Sequence, residues 1–359
     1  MMKPFGRCFL PGPTDVLPEI LEATLEPMYF TFSQRMQDVL ADMQPRLQRM
    51  FGTSQTVFVS TSAATGLMEA AIRNGVRHRV LVVCGGYFGE MFARVAEGCG
   101  KEVLRAVVPH GQILAPEQLA QFLEGPDVDA VALTHSESST GALAPLPELA
   151  EVVRRRPDVM LLVDGVTSVG AMPMAMDRWG VDFLFTGSQK ALALPPGIAI
   201  GACSPRYLER AEQMWDRGFY LSITHLVNAA RRNFPLTTPA LPVYHALHRQ
   251  LRRIDETGGL EPRFARHAAM AALMQDWVES QKAVSLLAAA GRRSPTVSAL
   301  RLPEGRQAPA VIAEMEQRGW LIATGLAPLT DQVIRIGHMG DLEPAHLGAL
   351  LADLDDVLA

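Results

Sequence analysis

The sequence predicts an α/β protein whose mostly parallel sheet is covered by helices on both faces. Short apolar runs, each long enough for one buried strand, alternate with helical patterns from residue 56 to residue 202, and such alternation is typical of parallel sheets. The 359 residues are 48% hydrophobic and 20% charged, and a chain of this length is too long for one core. We therefore expect an N-terminal arm at 1–20, a large domain at 21–255 and a small α/β domain at 256–359.

The N-terminal part combines an extended arm with two helices and a turn of small residues. The arm is rich in proline and glycine, a helix begins near Pro18, and apolar residues spaced by three and four predict a second helix over 34–50. A strand over 56–59 leads into the small-residue turn 60–66, and a helix follows at 67–73. Backbone N–H groups at the start of that helix suit an anion, and an ordinary Ser/Thr N-cap is the alternative.

Strands and helices then alternate in the order that a doubly covered sheet requires. The next strands of the large domain are predicted at 79–84, 103–108, 129–134, 159–164, 181–185 and 198–202. Its next helices are predicted at 88–97, 116–123, 147–156 and 243–255. In the small domain, the predicted elements are a helix at 262–280, strands at 297–300, 321–323 and 333–336, and helices at 308–318 and 344–358.

The composition argues against several classes of function. A net charge of −5 carries no signature of nucleic-acid binding, and no apolar stretch is long enough to span a membrane. The four cysteines have no paired spacing, so they predict neither a metal site nor a disulfide framework. His245 and His248 are one helical turn apart without a third ligand nearby, which predicts a helix surface. We expect a cytoplasmic protein that binds neither nucleic acid nor membrane.

Lys190 is the single charged side chain in the apolar stretch 183–205. The chain has four lysines against 29 arginines, so its surface cations are mostly arginine. A desolvated ammonium gives up its proton more readily and becomes a nucleophile for carbonyl compounds, which a guanidinium does not. The stretch by itself leaves two readings open, a lysine that forms a Schiff base and a lysine that reaches from a buried loop to water.

Asp164 ends the continuous apolar run 159–163, which is the pattern of a buried parallel strand. Open α/β sheets bind their ligands at such carboxyl ends, and a second apolar run, 181–185, leads to Lys190. A carboxylate and an amine on neighbouring strand ends suit pyridoxal phosphate, because the lysine holds its aldehyde and the acid holds its ring nitrogen. A helix N-cap or a structural ion pair is the alternative for Asp164.

Two separated blocks carry a resemblance to a known family. Residues 163–170 read Val-Asp-Gly-Val-Thr-Ser-Val-Gly, and residues 187–197 read Gly-Ser-Gln-Lys-Ala-Leu-Ala-Leu-Pro-Pro-Gly. In this order and spacing they resemble the class V aminotransferases, closest to the alanine–glyoxylate and serine–pyruvate group. The resemblance runs from Pro11 to Gly337. It implies a fold-type I architecture, with a seven-stranded, mostly parallel sheet in the large domain and a smaller C-terminal α/β domain.

The resemblance also implies a site for pyridoxal 5′-phosphate. Lys190 is expected to hold the cofactor and act as general base, and Asp164 to keep its ring nitrogen protonated. The other implied cofactor contacts come from Ser62, Ala63, Phe88, Ser138, Val166, Gln189 and Thr237. Tyr87 is the alternative to Phe88 for the ring that stacks on the cofactor. Arg335, flanked by apolar residues, is expected to bind a substrate carboxylate through its planar fork, and an ion pair with a neighbouring acid is the alternative.

The implied reaction is transamination between a small amino acid, such as alanine or serine, and a 2-oxo acid, such as glyoxylate or pyruvate. Thr237 matches a loop that reaches into the neighbouring subunit, which implies a homodimer with an active site shared between chains. Phe234 stands where the family often has a tyrosine, so one phosphate hydrogen bond is expected to be missing. Residues 28–35 are bulkier than the family's usual glycine or His-Arg pair, which favours an acceptor other than glyoxylate or a more apolar amino acid.

Four other functions are open at this point. A class V enzyme with a different amino donor is the nearest of them. A cysteine desulfurase needs a thiol in the C-terminal third, yet no cysteine follows Cys203. A nicotinamide-dependent oxidoreductase would use the glycine-rich turn 85–89, which lacks the G-x-G-x-x-G order. The last is a non-catalytic family member that keeps the scaffold as a binding or assembly partner.

Overall fold

The computed structural model describes residues 5–281 and 283–358. The strands are β1 Val57–Ser60, β2 Arg79–Cys84, β3 Glu102–Val107, β4 Ala130–Thr134, β5 Ser136–Glu137, β6 Ala142–Leu143, β7 Met160–Asp164, β8 Phe183–Gly187, β9 Ala199–Cys203, β10 Ser285–Leu286, β11 Val297–Arg301, β12 Ala323–Thr324 and β13 Val333–Gly337. The helices are α1 Pro18–Ala23, α2 Gln34–Phe51, α3 Ala64–Gly75, α4 Tyr87–Gly98, α5 Pro116–Leu123, α6 Leu146–Arg154, α7 Met176–Trp179, α8 Pro205–Gln213, α9 Ile223–Ala230, α10 Leu241–Glu256, α11 Leu260–Ser280, α12 Ala308–Gln317 and α13 Pro344–Leu358.

The central sheet has seven strands in the order β1-β9-β8-β7-β4-β2-β3. The pairs from β8 to β3 are parallel, and β9 is antiparallel to both of its neighbours, so β1 runs in the common direction. Parallel strands place their carboxyl ends at one edge, and the tips of β4 and β7 and the turn after β8 therefore lie together. The predicted fold class, with a mostly parallel seven-stranded sheet between helices, is confirmed.

Two apolar layers cover the faces of this sheet. Successive residues of a strand point to opposite faces, so Leu81 belongs to one layer, whereas Val80 and Val82 belong to the other. The first layer packs against α2, α5, α6 and α10, and the second packs against α3, α4, α8 and α9. Burial on both faces explains why these strands read as continuous apolar runs in the sequence.

The small domain is built on a four-stranded antiparallel sheet in the order β10-β11-β13-β12. The N-terminal arm extends this sheet through Phe9. The N–H of Phe9 donates to the carbonyl of Leu321 at 2.7 Å, and the carbonyl of Phe9 accepts from the N–H of Gly337 at 2.7 Å. The Phe9 side chain is fully buried among apolar residues of the small domain. The domain boundaries after residues 20 and 255 remain a prediction.

Several elements differ from the sequence-based expectations, among them α3, β12 and α8. Helix α3 begins at Ala64, three residues earlier than predicted, because Thr65 and Gly66 form its first turn. The predicted strand at 321–323 lies at 323–324, since Leu321 pairs with the arm. Helix α8 has no predicted counterpart, because it is mostly polar and buries few apolar side chains. Among the described residues, no helix is long and apolar enough to cross a membrane.

The prediction that His245 lies on a helix surface is wrong. Its side chain is 3% exposed and stacks on the ring of Tyr29, with 5.4 Å between the ring centroids. Helix α10 packs against both α1 and α2, and this contact buries the face that carries His245. His248, one turn further along, instead lies 2.8 Å from the carboxylate of Asp42.

Candidate active site

A cavity of about 370 Å³ lies at the carboxyl edge of the central sheet. Its wall combines the tips of β4 and β7, the turn after β8, the starts of α3 and α4, and the arm residues 12–13. Two oppositely charged side chains, Asp164 and Lys190, line it. The other predicted site residues in the wall are Ala63, Phe88, Ser138, Val166 and Gln189.

Lys190 lies in the turn after β8 and is 8% exposed. Its ammonium donates a hydrogen bond to the carbonyl oxygen of Pro11. Burial, with a smaller effect from the charge of Arg335, lowers the pKa of the amine from 10.5 to about 8, while Asp164 and Glu137 act in the opposite direction. A substantial fraction of the amine is therefore neutral at mildly alkaline pH, and a neutral amine is both a nucleophile and a base.

Asp164 is the last residue of β7 and is 3% exposed. Its Oδ1 accepts a hydrogen bond from the N–H of Val166 at 2.8 Å. Burial raises the pKa of the Asp164 carboxyl to about 7, although the Val166 hydrogen bond and the charge of Lys190 oppose that rise. A carboxyl in this state is stabilised by a proton or a cationic N–H placed beside it, which is what a protonated ring nitrogen provides.

The N-terminal arm closes over Lys190. Gly12 has a φ of +109°, and a Cβ at this position would lie 2.6 to 2.8 Å from the Lys190 side chain, so only glycine fits. Thr14 fixes the turn after β8, because its N–H donates to the carbonyl of Gln189 at 3.1 Å and its hydroxyl to the carbonyl of Lys190 at 3.2 Å. The arm thus holds the backbone that carries the reactive amine.

The start of α3 presents an anion-binding site to the cavity. Ala63 is the N-cap and has no side-chain oxygen to accept from the helix, and the N–H groups of a first turn have no partner within the helix. Ala63, Ala64 and Thr65 line the cavity. Ser62 precedes them, with its hydroxyl 3.1 Å from that of Ser60, and is not part of the wall. A phosphate here would meet the positive end of the helix dipole.

The structure brings Phe88 to the cavity and leaves Tyr87 outside it. The Phe88 ring centroid lies 5.8 Å from the Lys190 ammonium. Tyr87 packs edge-on against Phe88, with 5.3 Å between the ring centroids. Ser138 is 1% exposed and lines the same cavity. An aromatic face and a hydroxyl therefore lie within one site with the amine.

Arg335 lies in β13 and approaches this site from the small domain. It is 8% exposed, and it donates from Nε to the carbonyl of Thr324 at 2.8 Å and from Nη1 to the carbonyl of Ser138 at 3.2 Å. Burial lowers the pKa of the guanidinium and the charge of Glu137 opposes this. The alternative of an ion pair is not realised among the described residues, because no carboxylate lies within bonding distance. A buried guanidinium without a carboxylate partner suits an anionic ligand.

Thr237 lies outside the cavity of its own chain. It borders a separate pocket of about 10 Å³ that also contains Tyr220. Close to this loop, the ring of Phe234 lies 6.0 Å from that of Phe32, which lies 5.9 Å from that of Phe30. Phe30 is 71% exposed. One chain therefore shows an exposed aromatic surface beside Thr237 and no contact between Thr237 and the amine.

Thr134 and Glu137 are among the residues of the site that sequence reasoning missed. Thr134 ends β4 directly opposite Asp164, lines the cavity, and has a buried hydroxyl without a hydrogen-bond partner in the described structure. The strand-end pattern that identified Asp164 could have identified Thr134 as well. Glu137 is 5% exposed and accepts from the N–H groups of Phe88 and Gly89, both at 3.1 Å. No local pattern reveals that contact, since the partners are about 50 residues apart in the chain.

Glu137 also argues against a nicotinamide cofactor at the glycine-rich turn 85–89. A dinucleotide would place its pyrophosphate on free N–H groups at the start of α4. Glu137 already occupies two of these groups, and the hydroxyl of Ser139 accepts from the N–H of Tyr87 at 3.0 Å. A second anion at this helix end would be repelled by the buried carboxylate.

Known proteins of similar sequence and structure share this arrangement of the fold. The family Aminotransferase class-V matches residues 21–331. The L-aspartate–glyoxylate aminotransferase of Paracoccus denitrificans is 31% identical over 363 residues, covering 98% of this chain and 90% of that protein. The crystal structure of an aspartate aminotransferase from Thermus thermophilus is 32% identical, with a TM-score of 0.90 over 98% of this chain and 99% of that one. The crystal structure of an alanine–glyoxylate aminotransferase from Nostoc sp. is 28% identical, with a TM-score of 0.94 over 100% of this chain and 97% of that one.

Proposed function

The chain belongs to the class V aminotransferases, and from that premise we propose that it exchanges an amino group between a small amino acid, such as alanine or serine, and glyoxylate or pyruvate. The cofactor of this reaction is pyridoxal 5′-phosphate. The observation that carries the proposal is one cavity that holds a desolvated amine, Lys190, and a desolvated carboxylate, Asp164. The roles given to individual residues below are part of the same proposal.

The cavity offers a matching group for each part of the cofactor. The start of α3, at Ala63, suits the phosphate, and Lys190 suits the aldehyde. Asp164 suits the protonated ring nitrogen, and the orphaned hydroxyl of Thr134 lies on the neighbouring strand tip. Phe88 suits the ring face. Ser62, Ser138, Val166 and Gln189 complete the proposed set.

Lys190, Asp164 and Arg335 have different roles in the proposed reaction. When bound, the cofactor supplies an aldehyde that joins the amino group and a ring that accepts electrons from Cα. With the cofactor bound, the Nζ of Lys190 would take the proton from Cα as general base. Asp164 holds a proton at the ring nitrogen, and Arg335 orients the substrate by its carboxylate. The arm packs against the Lys190 side chain at Gly12.

The size and charge of the cavity favour a small substrate. A volume of about 370 Å³ lies near the lower end of ordinary ligand sites, roughly 300–1,000 Å³, and the cofactor and the substrate would have to share it. Aspartate is the second candidate donor, because two of the similar proteins are named for it. Its extra carboxylate would need a cation besides Arg335, which is assigned to the first carboxylate, and the described wall of the cavity offers only Lys190, which is assigned to the cofactor. Alanine or serine therefore fits this chain better than aspartate.

Replacing Arg335 tests the assignment of the substrate carboxylate. We expect Arg335→Gln to raise KM for the amino acid about 10- to 100-fold with a smaller change in kcat, since a charge-assisted hydrogen bond contributes about 1.5–3 kcal/mol. Steady-state kinetics at varied amino acid concentration measure this. Arg335→Lys keeps the charge but loses the planar fork, so its KM should lie between the two.

A substrate without the carboxylate provides the control. A simple primary amine should react with the native protein and with Arg335→Gln at similar, low rates. If the variant slows both substrates equally, Arg335 supports the fold of the site and does not bind the carboxylate.

The proposed assembly is a homodimer in which Thr237 of one chain contacts the cofactor phosphate of the other. In its favour are the position of Thr237 outside its own cavity and the exposed aromatic surface formed by Phe30, Phe32 and Phe234. Light scattering measures the mass of the assembly, and Thr237→Ala should weaken cofactor binding without changing that mass.

We also place the protein in the cytoplasm, whose reducing conditions suit the free thiols of Cys84, Cys99 and Cys203.

A half-reaction screen tests the function as a whole. The protein loaded with cofactor is mixed with one amino acid at a time, and the loss of visible absorbance reports transfer of the amino group. We expect alanine or serine to react fastest, and glyoxylate or pyruvate to restore the absorbance. A protein that binds no cofactor, or whose spectrum responds to no amino acid, contradicts the proposal.

A further inference from the structure

The buried carboxylate of Glu137 accepts four hydrogen bonds, two from the start of α4 and two from Ser139 in its own turn. Its Oε2 accepts from the N–H groups of Phe88 and Gly89, both at 3.1 Å. Its Oε1 accepts from the N–H of Ser139 at 3.0 Å and from the Ser139 hydroxyl at 2.6 Å. The Ser139 hydroxyl in turn accepts from the N–H of Tyr87 at 3.0 Å. Side chains from one turn, residues 137–139, therefore occupy the first three N–H groups of α4.

The side chains of this turn cap α4, whose own N-cap residue provides no capping side chain. Gly86, the N-cap residue of α4, has no side chain to accept from the helix. A Cβ at Gly86 would lie 2.4 Å from the Ser139 hydroxyl and 2.6 Å from Cγ of Glu137, so the turn packs directly on the helix end. A negative charge at this end is also favoured by the helix dipole.

The same turn also contacts Phe88, which lines the cavity, and Arg335, which approaches the cavity from the small domain. Phe88, whose N–H donates to Glu137, carries a ring whose centroid lies 5.8 Å from the Lys190 ammonium. Ser138, between the two capping residues, lines the cavity and accepts from Arg335 with its carbonyl at 3.2 Å. A shift of this turn would therefore move the aromatic face and the guanidinium at once.

We propose that Glu137 is a positioning residue that holds Phe88 and Arg335 in the geometry needed to clamp the cofactor and the substrate carboxylate. This inference rests on the proposed function, because it assigns Phe88 to the cofactor face and Arg335 to the carboxylate. Glu137 itself does not line the cavity. Its effect passes through the backbone of Phe88 on one side and the carbonyl of Ser138 on the other.

Glu137→Gln isolates the role with little change in shape. The carboxamide has one acceptor oxygen, so its NH₂ group must face either the N–H pair of Phe88 and Gly89 or the N–H of Ser139. The start of α4 then loses part of its cap and all of its charge complement. We expect the dissociation constant of pyridoxal phosphate to rise about tenfold, equivalent to about 1.4 kcal/mol.

A double-mutant cycle with Phe88→Ala separates positioning from general stability. The cofactor dissociation constant and the circular dichroism of its visible band are measured for the native protein, Glu137→Gln, Phe88→Ala and the double variant. If Glu137 acts through Phe88, the double variant binds no more than about threefold more weakly than Phe88→Ala, because the effects are coupled. Independent effects, in which the two losses multiply, overturn the inference, as does an unchanged constant for Glu137→Gln.

Two further variants and the native protein serve as controls for the effect of Glu137→Gln on cofactor binding. Glu97→Gln makes the same substitution on α4, where the carboxylate pairs with Arg105 on the surface, and it should leave cofactor binding unchanged. Ser139→Ala is a second route to the same cap should Glu137→Gln fold poorly, and it should weaken binding in the same direction. Failure of the native protein to bind the cofactor would instead contradict the proposed function, so the two failures are distinguishable.

Discussion

Lys190→Ala is expected to lower kcat about a thousandfold or more while the protein still folds. General acid–base catalysis alone contributes roughly 10²–10⁴-fold, and no other amine lies in the described wall of the cavity to replace this one. The cofactor should still bind through its phosphate and ring contacts, but without the covalent link. Reduction with borohydride followed by mass measurement shows whether the link exists.

Lys190→Arg is the matched control for this substitution. It keeps a cation of similar length, but a guanidinium does not give up its proton at ordinary pH. We expect it to be as inactive as Lys190→Ala. An arginine variant that retains substantial activity would show that Lys190 supplies charge and not a proton-accepting amine, and the mechanism proposed here would be wrong.

The pH at which the apoprotein takes up cofactor provides an independent test of Lys190. Burial lowers the pKa of this amine to about 8, and only the neutral amine attacks an aldehyde. The rate of covalent uptake should therefore rise with pH up to about 8 and level off above it. An exposed lysine would give a rate still rising near pH 10. Stopped-flow absorbance over pH 6–10 distinguishes the two profiles.

The pair at the centre of the site could be predicted from sequence because each residue obeys a local rule. Asp164 ends a continuous apolar run, and Lys190 is a lone charge in an apolar stretch. Parallel strands place such ends at one edge whatever the rest of the chain does. The residue types and their positions at strand ends were therefore enough to predict that they meet at one edge of the sheet.

The residues that hold this pair in place obey no local rule. Pro11 and Gly12 reach Lys190 across 179 and 178 positions of the chain, because the arm first pairs with the small domain at Leu321 and Gly337. Glu137 caps a helix that begins 50 residues earlier. Such contacts depend on how finished elements pack, and helix caps are predictable only when the capping side chain lies next to the helix in the chain.

Asp164→Asn is expected to have opposite effects on activity and on the stability of the apoprotein. For activity, the amide cannot take the negative charge that keeps the ring nitrogen protonated, so we expect kcat to fall about 10²–10³-fold, the usual range for the loss of one charge-stabilising group. Kinetics with the best amino acid of the half-reaction screen measure this loss. An unchanged kcat would separate Asp164 from the cofactor nitrogen.

For stability, the sign follows from the raised pKa of the buried carboxyl. Burial moves the Asp164 pKa from 3.8 to about 7 in the folded chain, so between these values the native state binds more protons than the unfolded state, and stability falls as pH rises. A shift of about three units corresponds to at most about 4 kcal/mol. Below pH 4 the native protein and Asp164→Asn should unfold alike, and above pH 7 the variant should be more stable.

Denaturant unfolding of the apoproteins at pH 4, 6 and 8 measures this difference. A gain at pH 8 that disappears at pH 4, together with the loss of kcat, would show that the site keeps a carboxylate where the fold alone prefers a neutral group. Asp182 provides the control, since this buried aspartate is paired with Arg206 and accepts from the N–H of Leu161. Its replacement by asparagine should destabilise the protein at pH 8, because it breaks an existing ion pair.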